Sequence, residues 1–96
     1  MAGTSLNGRV AIVTGAAGGF GRVLVGALLA EGAKVAALDV NGSGLGTLRD
    51  SLSGYGKDRL LAGVTDISDY AACERAVADT IQELGGVHIL INNGAM

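Results

Sequence analysis

Apolar positions along this chain fall into two kinds of run. Four are short and nearly continuous: Arg9 to Thr14, Lys34 to Asp39, Arg59 to Val64 and His88 to Asn92. Continuous rather than alternating apolar character predicts strands buried on both faces, as in a parallel sheet. Between them the apolar residues recur at helical spacing. Leu24, Ala27 and Leu28 predict a first helix from Gly19 or Phe20 to Glu31, with Gly32 as its stop. Leu45, Leu48 and Leu52 predict a second helix, short or frayed because the segment Asn41 to Gly56 holds five glycines. Cys73, Val77, Ile81 and Leu84 predict the third as a single apolar stripe. Ser68 is the expected N-cap of that helix, Asp69 complements its dipole, and Gly85-Gly86 ends it.

Strand–helix–strand units in series, joined by right-handed crossovers, give an α/β fold with a doubly wound parallel sheet of order 3-2-1-4. Such a sheet carries its ligand crevice beyond the carboxyl ends of the strands, where the winding reverses. Thr14-Gly15, Asp39, Asp66 and Asn92-Asn93 all follow strand ends. They are therefore expected on one edge of the sheet.

Composition narrows the class. The 96 residues, read as one domain over 1–96, are 49% hydrophobic and 17% charged, so disorder is excluded. Seventeen glycines far exceed the usual level of about 7%, and they cluster at the expected turns. Net charge is −2 and the Lys and Arg are scattered, which argues against a nucleic-acid partner. The apolar runs are too short to span a bilayer. Met1 to Ser5 lacks the features of a signal peptide, and the lone Cys73 suits a reducing compartment, so a cytoplasmic setting is expected. No spacing of His88, Cys73 and the acids suggests a metal site. His88 reads as a strand opener, and Cys73 as a packing residue.

The candidate chemistry lies in Thr-Gly-Ala-Ala-Gly-Gly-Phe-Gly at Thr14 to Gly21, between the first strand and the first helix. Glycines let a backbone approach a pyrophosphate closely. A helix N-terminus offers free N–H groups and a positive dipole end. Asp39 ends the second strand, 24 positions beyond Gly15. A carboxylate there accepts from the adenosine ribose hydroxyls and repels a 2′-phosphate. Two unit charges about 4 Å apart repel by roughly 1 kcal/mol in water and about 4 kcal/mol at an effective dielectric near 20. Val40-Asn41 follow Asp39, and no Lys or Arg stands directly before Gly19. Both observations favour NAD over NADP.

Thr14 to Gly21, Asp39, Asp66 in Val-Thr-Asp-Ile, and Asn92-Asn93-Gly94-Ala95 together resemble the short-chain dehydrogenase/reductases, in order and spacing, over nearly the whole chain. The resemblance implies a Rossmann-type fold and an NAD-dependent oxidoreductase that moves a hydride between nicotinamide and a secondary alcohol or ketone. It also implies roles. Gly15, Gly19 and Gly21 form the pyrophosphate turn, the Phe20 amide meets a phosphate, and Ala17 sits near the ribose. Asp39 and Val40 flank the adenosine. Asp66 accepts from the adenine amino group, and Ile67 adds a backbone contact. Asn93 and Gly94 line the adenosine ribose, while Asn92 ties strands together. The same loop also satisfies the extended branch of the family through Gly15, Gly18 and Gly21; the Asn-Asn pair favours the compact branch. The family's usual Asn-Asn-Ala-Gly is Asn-Asn-Gly-Ala here. Its catalytic Ser and Tyr-x-x-x-Lys have no counterpart: Arg59 stands four residues after Tyr55, and Glu74 four after Tyr70. The expectation is thus the N-terminal, cofactor-binding part of a longer fold, with no catalytic residue among these 96. The alternative is a fragment that binds nucleotide or self-associates without turnover. The family also implies a homo-oligomer, and His88 to Asn92 is expected as an exposed apolar edge prone to strand pairing.

Overall fold

The structure, a computed structural model, describes residues 5–94. Ala95 of the Asn-Asn-Gly-Ala sequence and most of the N-terminal segment from Met1 to Ser5 lie outside them. Seven elements alternate along the chain: β1 (Val10–Thr14), α1 (Gly19–Ala30), β2 (Lys34–Asp39), α2 (Gly42–Ser51), β3 (Leu60–Val64), α3 (Tyr70–Leu84) and β4 (Ile89–Asn92). The four strands form one parallel sheet in the order β3-β2-β1-β4. The expected order is the observed one. β1, β3 and β4 each begin one residue later than their apolar runs suggest, with Arg9, Arg59 and His88 outside.

Burial on both faces explains the continuous runs. Successive strand residues point to opposite sides of a sheet. Val13, Val35 and Ala37 pack with Val25 and Leu29 of α1 and with Leu45 and Leu48 of α2. Ile12, Ala36 and Leu38 pack on the other side with Ala76 and Leu84 of α3. β1 has hydrogen-bonded neighbours on both edges, Val10 opposite Lys34 and Ala11 opposite Ile89, and all five of its residues are buried.

Local chemistry sets the helix ends. Gly32, at φ +96°, and Gly85, at φ +95°, take the left-handed conformation that stops α1 and α3. The Asn41 side chain caps α2 by accepting from the Gly44 amide at 2.9 Å. With that cap α2 runs ten residues and is the shortest of the three helices, as its glycines foretell. Near the opposite, amino edge of the sheet, Arg59 donates to the carbonyls of Leu29 and Ala33 at 2.8 and 2.9 Å. Its guanidinium stacks 5.2 Å from the Tyr55 ring centroid. His88 is structural too: its Nδ1 accepts from the Val10 amide at 2.9 Å.

Two expectations for α3 need correction. Its N-cap is Asp69, whose carboxylate accepts from the Ala72 amide, rather than Ser68. Its buried face is Ala76, Thr80 and Leu84 rather than the stripe of Cys73, Val77, Ile81 and Leu84. Small residues at 76 and 80 let the helix lie close against β2 and β3. The Thr80 hydroxyl is satisfied by the Ala76 carbonyl at 2.7 Å. The larger Val77 and Ile81 are turned aside, 42% and 51% exposed, Val77 toward the β4 side. There Leu90, 66% exposed, and Val87 line an apolar groove of about 480 Å³ with Ile12 and Cys73. Among the described residues no strand covers the outer edge of β4.

Candidate functional site

The carboxyl edge of the sheet gathers the polar residues that the apolar strands exclude from the core. β1 ends in Thr14, whose hydroxyl donates to Asn92 Oδ1 at 2.9 Å and accepts from the Asn93 and Gly94 amides, both at 3.0 Å. One buried hydroxyl therefore joins the ends of β1 and β4 and fixes the turn after β4. Asn93 Nδ2 adds a longer bond to the Gly15 carbonyl, 3.4 Å.

The glycine loop leaves this junction. Gly15 has φ +64°, and a Cβ there would lie 2.8 Å from the Asn93 carbonyl oxygen. Gly21 is held harder, since a Cβ would lie 2.2 Å from the Gly15 carbonyl oxygen. These two glycines are required by the protein's own backbone. Gly19 is different: nothing lies within 4 Å of a Cβ placed there. Of the two overlapping glycine patterns, then, the protein's own contacts dictate only the shared members, Gly15 and Gly21. α1 starts at Gly19, after an extended Gly18 without a side-chain cap. Its first amides have no acceptor within the helix, and the Arg22 amide is taken by the Gly18 carbonyl at 2.9 Å. Phe20 is 67% exposed beside them. A negatively charged group would meet unpaired donors and the positive end of the helix dipole.

Next to this loop is a cleft of about 370 Å³ lined by Gly15, Leu38, Asp39, Val40, Thr65, Asp66, Ile67 and Gly94. Six of the residues singled out from sequence meet there: Gly15, Asp39, Val40, Asp66, Ile67 and Gly94. Ala17, Gly19, Phe20, Gly21 and Asn93 do not line the cleft; they form the loop and turn bordering it. The Asp39 carboxylate accepts from the Ala17 amide at 2.9 Å and the Asn41 amide at 3.0 Å, one through each oxygen. A carboxylate has about four acceptor sites, so both oxygens retain capacity for a ligand. Asp66 is exposed and accepts from the hydroxyl and amide of Ser68, at 2.6 and 2.9 Å. The Ser68 hydroxyl, then its amide, hold the Asp66 carboxyl below its ordinary 3.8, so it is ionised at neutral pH. Ile67 bounds the cleft from the far side; its Cδ1 would stand 3.0 Å from a Cβ on Gly94.

Sequence reasoning assigned no contact to four contributors. Thr14 was expected at the common edge, but not as the hydroxyl that joins the ends of β1 and β4. Leu38 and Thr65 line the cleft through strand ends whose neighbours the topology decides. Arg22 brings a guanidinium to the glycine loop, donating to the Ala17 carbonyl at 2.9 Å and the Gly44 carbonyl at 3.3 Å. Its place directly after Gly21 was the available signal.

Comparison with known proteins accords with this geometry. A family profile described as short chain dehydrogenase matches residues 9–96. The chain is 39% identical over 93 residues to short chain dehydrogenase/reductase dpmpG of Macrophomina phaseolina, covering 97% of this chain and 53% of that protein. It is 36% identical over 91 residues to a sorbitol dehydrogenase of Cereibacter sphaeroides, covering 95% and 34%. Among solved structures, a short chain dehydrogenase from Mycobacterium smegmatis superposes with a TM-score of 0.86 at 35% identity, covering 95% of this chain and 38% of the other. A 3-ketoacyl-(acyl-carrier-protein) reductase from Brucella melitensis, complexed with NADH, superposes at 0.81 with 36% identity, covering 90% and 34%. The chain thus spans about half the length of the first of these relatives and about a third of the others.

The loop geometry separates two kinds of glycine. Gly21→Ala should destabilise the chain by about 1–3 kcal/mol, since backbone must move to admit the methyl group. Gly19→Ala should leave stability unchanged or slightly raised, because the methyl group enters open space. Urea denaturation of both variants checks this, and equal losses would contradict it.

Proposed function

The chain belongs to the short-chain dehydrogenase/reductase family, and on that premise we propose that it is the NAD-binding part of an oxidoreductase. The complete form would transfer a hydride between NAD and a secondary alcohol or ketone. The observation that carries this is the meeting of Asp39, Asp66 and Gly94 with the Gly15 turn around one cleft beside the α1 amides. Gly15 and Gly21 hold the turn that brings the first amides of α1 beside the cleft, and the open space at Gly19 leaves room for a pyrophosphate to approach them. Asp39 supports NAD over NADP: it presents a carboxylate at the cleft, and no Lys or Arg is among the cleft-lining residues. In this reading Gly15, Gly19, Gly21 and the Phe20 amide hold the pyrophosphate, with Ala17 and Val40 beside the ribose. Asp39 takes the ribose hydroxyls, Asp66 and Ile67 take the adenine, and Asn93 and Gly94 border the ribose.

Residues 1–96 would act as one dinucleotide-binding unit. Neither tyrosine heads a Tyr-x-x-x-Lys sequence. Tyr55 is stacked under Arg59 at the other edge of the sheet, and Tyr70 stands exposed at the start of α3. Proton transfer and the substrate pocket are therefore assigned to residues other than these. No described helix is long and apolar enough to cross a membrane. The lone thiol of Cys73, donating to the Ile67 carbonyl at 3.4 Å, fits the reducing cytoplasm proposed for it.

If only the adenosine half of the site is present, this chain should bind NAD and ADP-ribose with affinities within about tenfold of each other. Calorimetric titration of both ligands decides this, and a larger gap would mean that nicotinamide contacts exist. The double substitution Asp39→Ala with Val40→Arg should move the NAD/NADP ratio of dissociation constants toward NADP by about tenfold or more. An unchanged ratio would remove Asp39 from its assigned place.

A second reading, nucleotide binding with self-association and no turnover, is favoured by one specific observation. The outer edge of β4 and the adjoining Val77, Ile81 and Leu90 present apolar surface. The 96-residue chain should therefore sediment as dimers or larger species, with the weight-average mass rising with concentration. A monodisperse monomer would contradict this.

A further inference from the structure

Five hydrogen bonds close a ring that meets the cleft at Asp39. The Ala17 amide donates to Asp39 Oδ2 at 2.9 Å. The Ala17 carbonyl accepts from Arg22 Nε at 2.9 Å, and the same guanidinium reaches the Gly44 carbonyl at 3.3 Å. The Gly44 amide donates to Asn41 Oδ1 at 2.9 Å, and the Asn41 amide returns to Asp39 Oδ1 at 3.0 Å. The ring joins the glycine loop, the end of β2 and the first turn of α2. It grips one peptide residue, Ala17, from both sides. Packing tightens it: a Cβ on Gly44 would lie 2.8 Å from the Ala17 Cβ.

We propose that Arg22 is a positioning residue for nucleotide selectivity, acting through Ala17 on the Asp39 carboxylate. The proposal rests on the assignment of the adenosine ribose to Asp39. Without a bound ligand, the Ala17 amide and the Asn41 amide fix the rotation of that carboxylate, so that its remaining acceptor sites are set in advance. Arg22 supplies the only charged donor in the ring. A charged, forked donor orients a carbonyl more strongly than a neutral one. When Arg22 is removed, the Ala17–Gly18 peptide loses its charged anchor; the adjoining Ala16–Ala17 peptide, whose amide holds Asp39, is then less firmly fixed, and one of the two anchors of the carboxylate weakens. The loss then falls on ligands that use the 2′-hydroxyl of the adenosine ribose. It does not fall on ligands that lack it.

The test compares NAD with NAD lacking the adenosine 2′-hydroxyl, in the unmodified chain and in Arg22→Gln and Arg22→Lys. Arg22→Gln should weaken NAD by about tenfold while leaving the deoxy analogue unchanged, so that discrimination between them collapses. Arg22→Lys, which keeps the charge without the fork, should recover only part of it. Amide hydrogen exchange at Ala17, read in the free chain, should quicken in Arg22→Gln beyond any change at core strand amides such as Ile12. Equal weakening of both ligands, or unchanged exchange at Ala17, would overturn the proposal. A chain that binds NAD and its deoxy analogue equally before any substitution would instead sink the ribose assignment to Asp39. The exchange result would still report whether the ring holds the loop.

Discussion

The Gly15 carbonyl and the backbone at Gly21 approach so closely that no side-chain carbon fits between them; a Cβ on Gly21 would lie 2.2 Å from that oxygen. This contact sets where α1 begins relative to the end of β1. From it follows the line of α1 across the sheet, which carries Val25 and Leu29 onto Val13 and Val35. The same contact leaves the first helical amides facing outward beside the turn. Fold and anion site thus share one steric constraint. A larger residue at Gly21 would disturb both together, whereas a Cβ at Gly19 would meet nothing within 4 Å.

A sheet buried on both faces confines polar chemistry to its edges. The apolar interior of β1 and β2 cannot hold a carboxylate or an amide without a partner. Polar residues therefore appear where strands end, and parallel order puts those ends on one side. The opposite edge shows the same rule with a structural outcome. There Arg59 and His88 satisfy backbone groups of α1, of the turn before β2 and of β1 instead of facing a cleft. Charge alone does not distinguish the two edges; position at the start or the end of a strand, in a parallel sheet, does.

Much of this was legible in the sequence because its causes are local or periodic. Continuous apolar runs identified the strands, Gly32 and Gly85 the helix ends, and the strand-end residues the common edge. The face of α3 was not legible. Hydrophobicity ranks Val77 and Ile81 above Ala76 and Thr80, but the sheet selects small residues that permit close approach. The cap at Asp69 was missed for a related reason. Ser68 is an equally good capping type, and only the structure shows its hydroxyl committed to Asp66. The role of Arg22 depends on the Gly44 carbonyl, 22 residues away, which no local pattern joins to it.

The glycines of α2 show the same trade between site and stability. Glycine in a helix interior costs roughly 1 kcal/mol relative to alanine, so a ten-residue helix starting Gly-Ser-Gly-Leu-Gly is a poor one by propensity. Gly44 accounts for part of that composition, since any side chain there would strike Ala17 of the glycine loop and its own cap at Asn41. What holds α2 in place is the Asn41 cap together with burial of Leu45 and Leu48 against the sheet. The local rule is broken where the helix must lie against the loop, and the compensation comes from its far face. That is the pattern expected where a site, rather than stability, sets the sequence. The first turn of α2 also belongs to the hydrogen-bonded ring that reaches the Asp39 carboxylate.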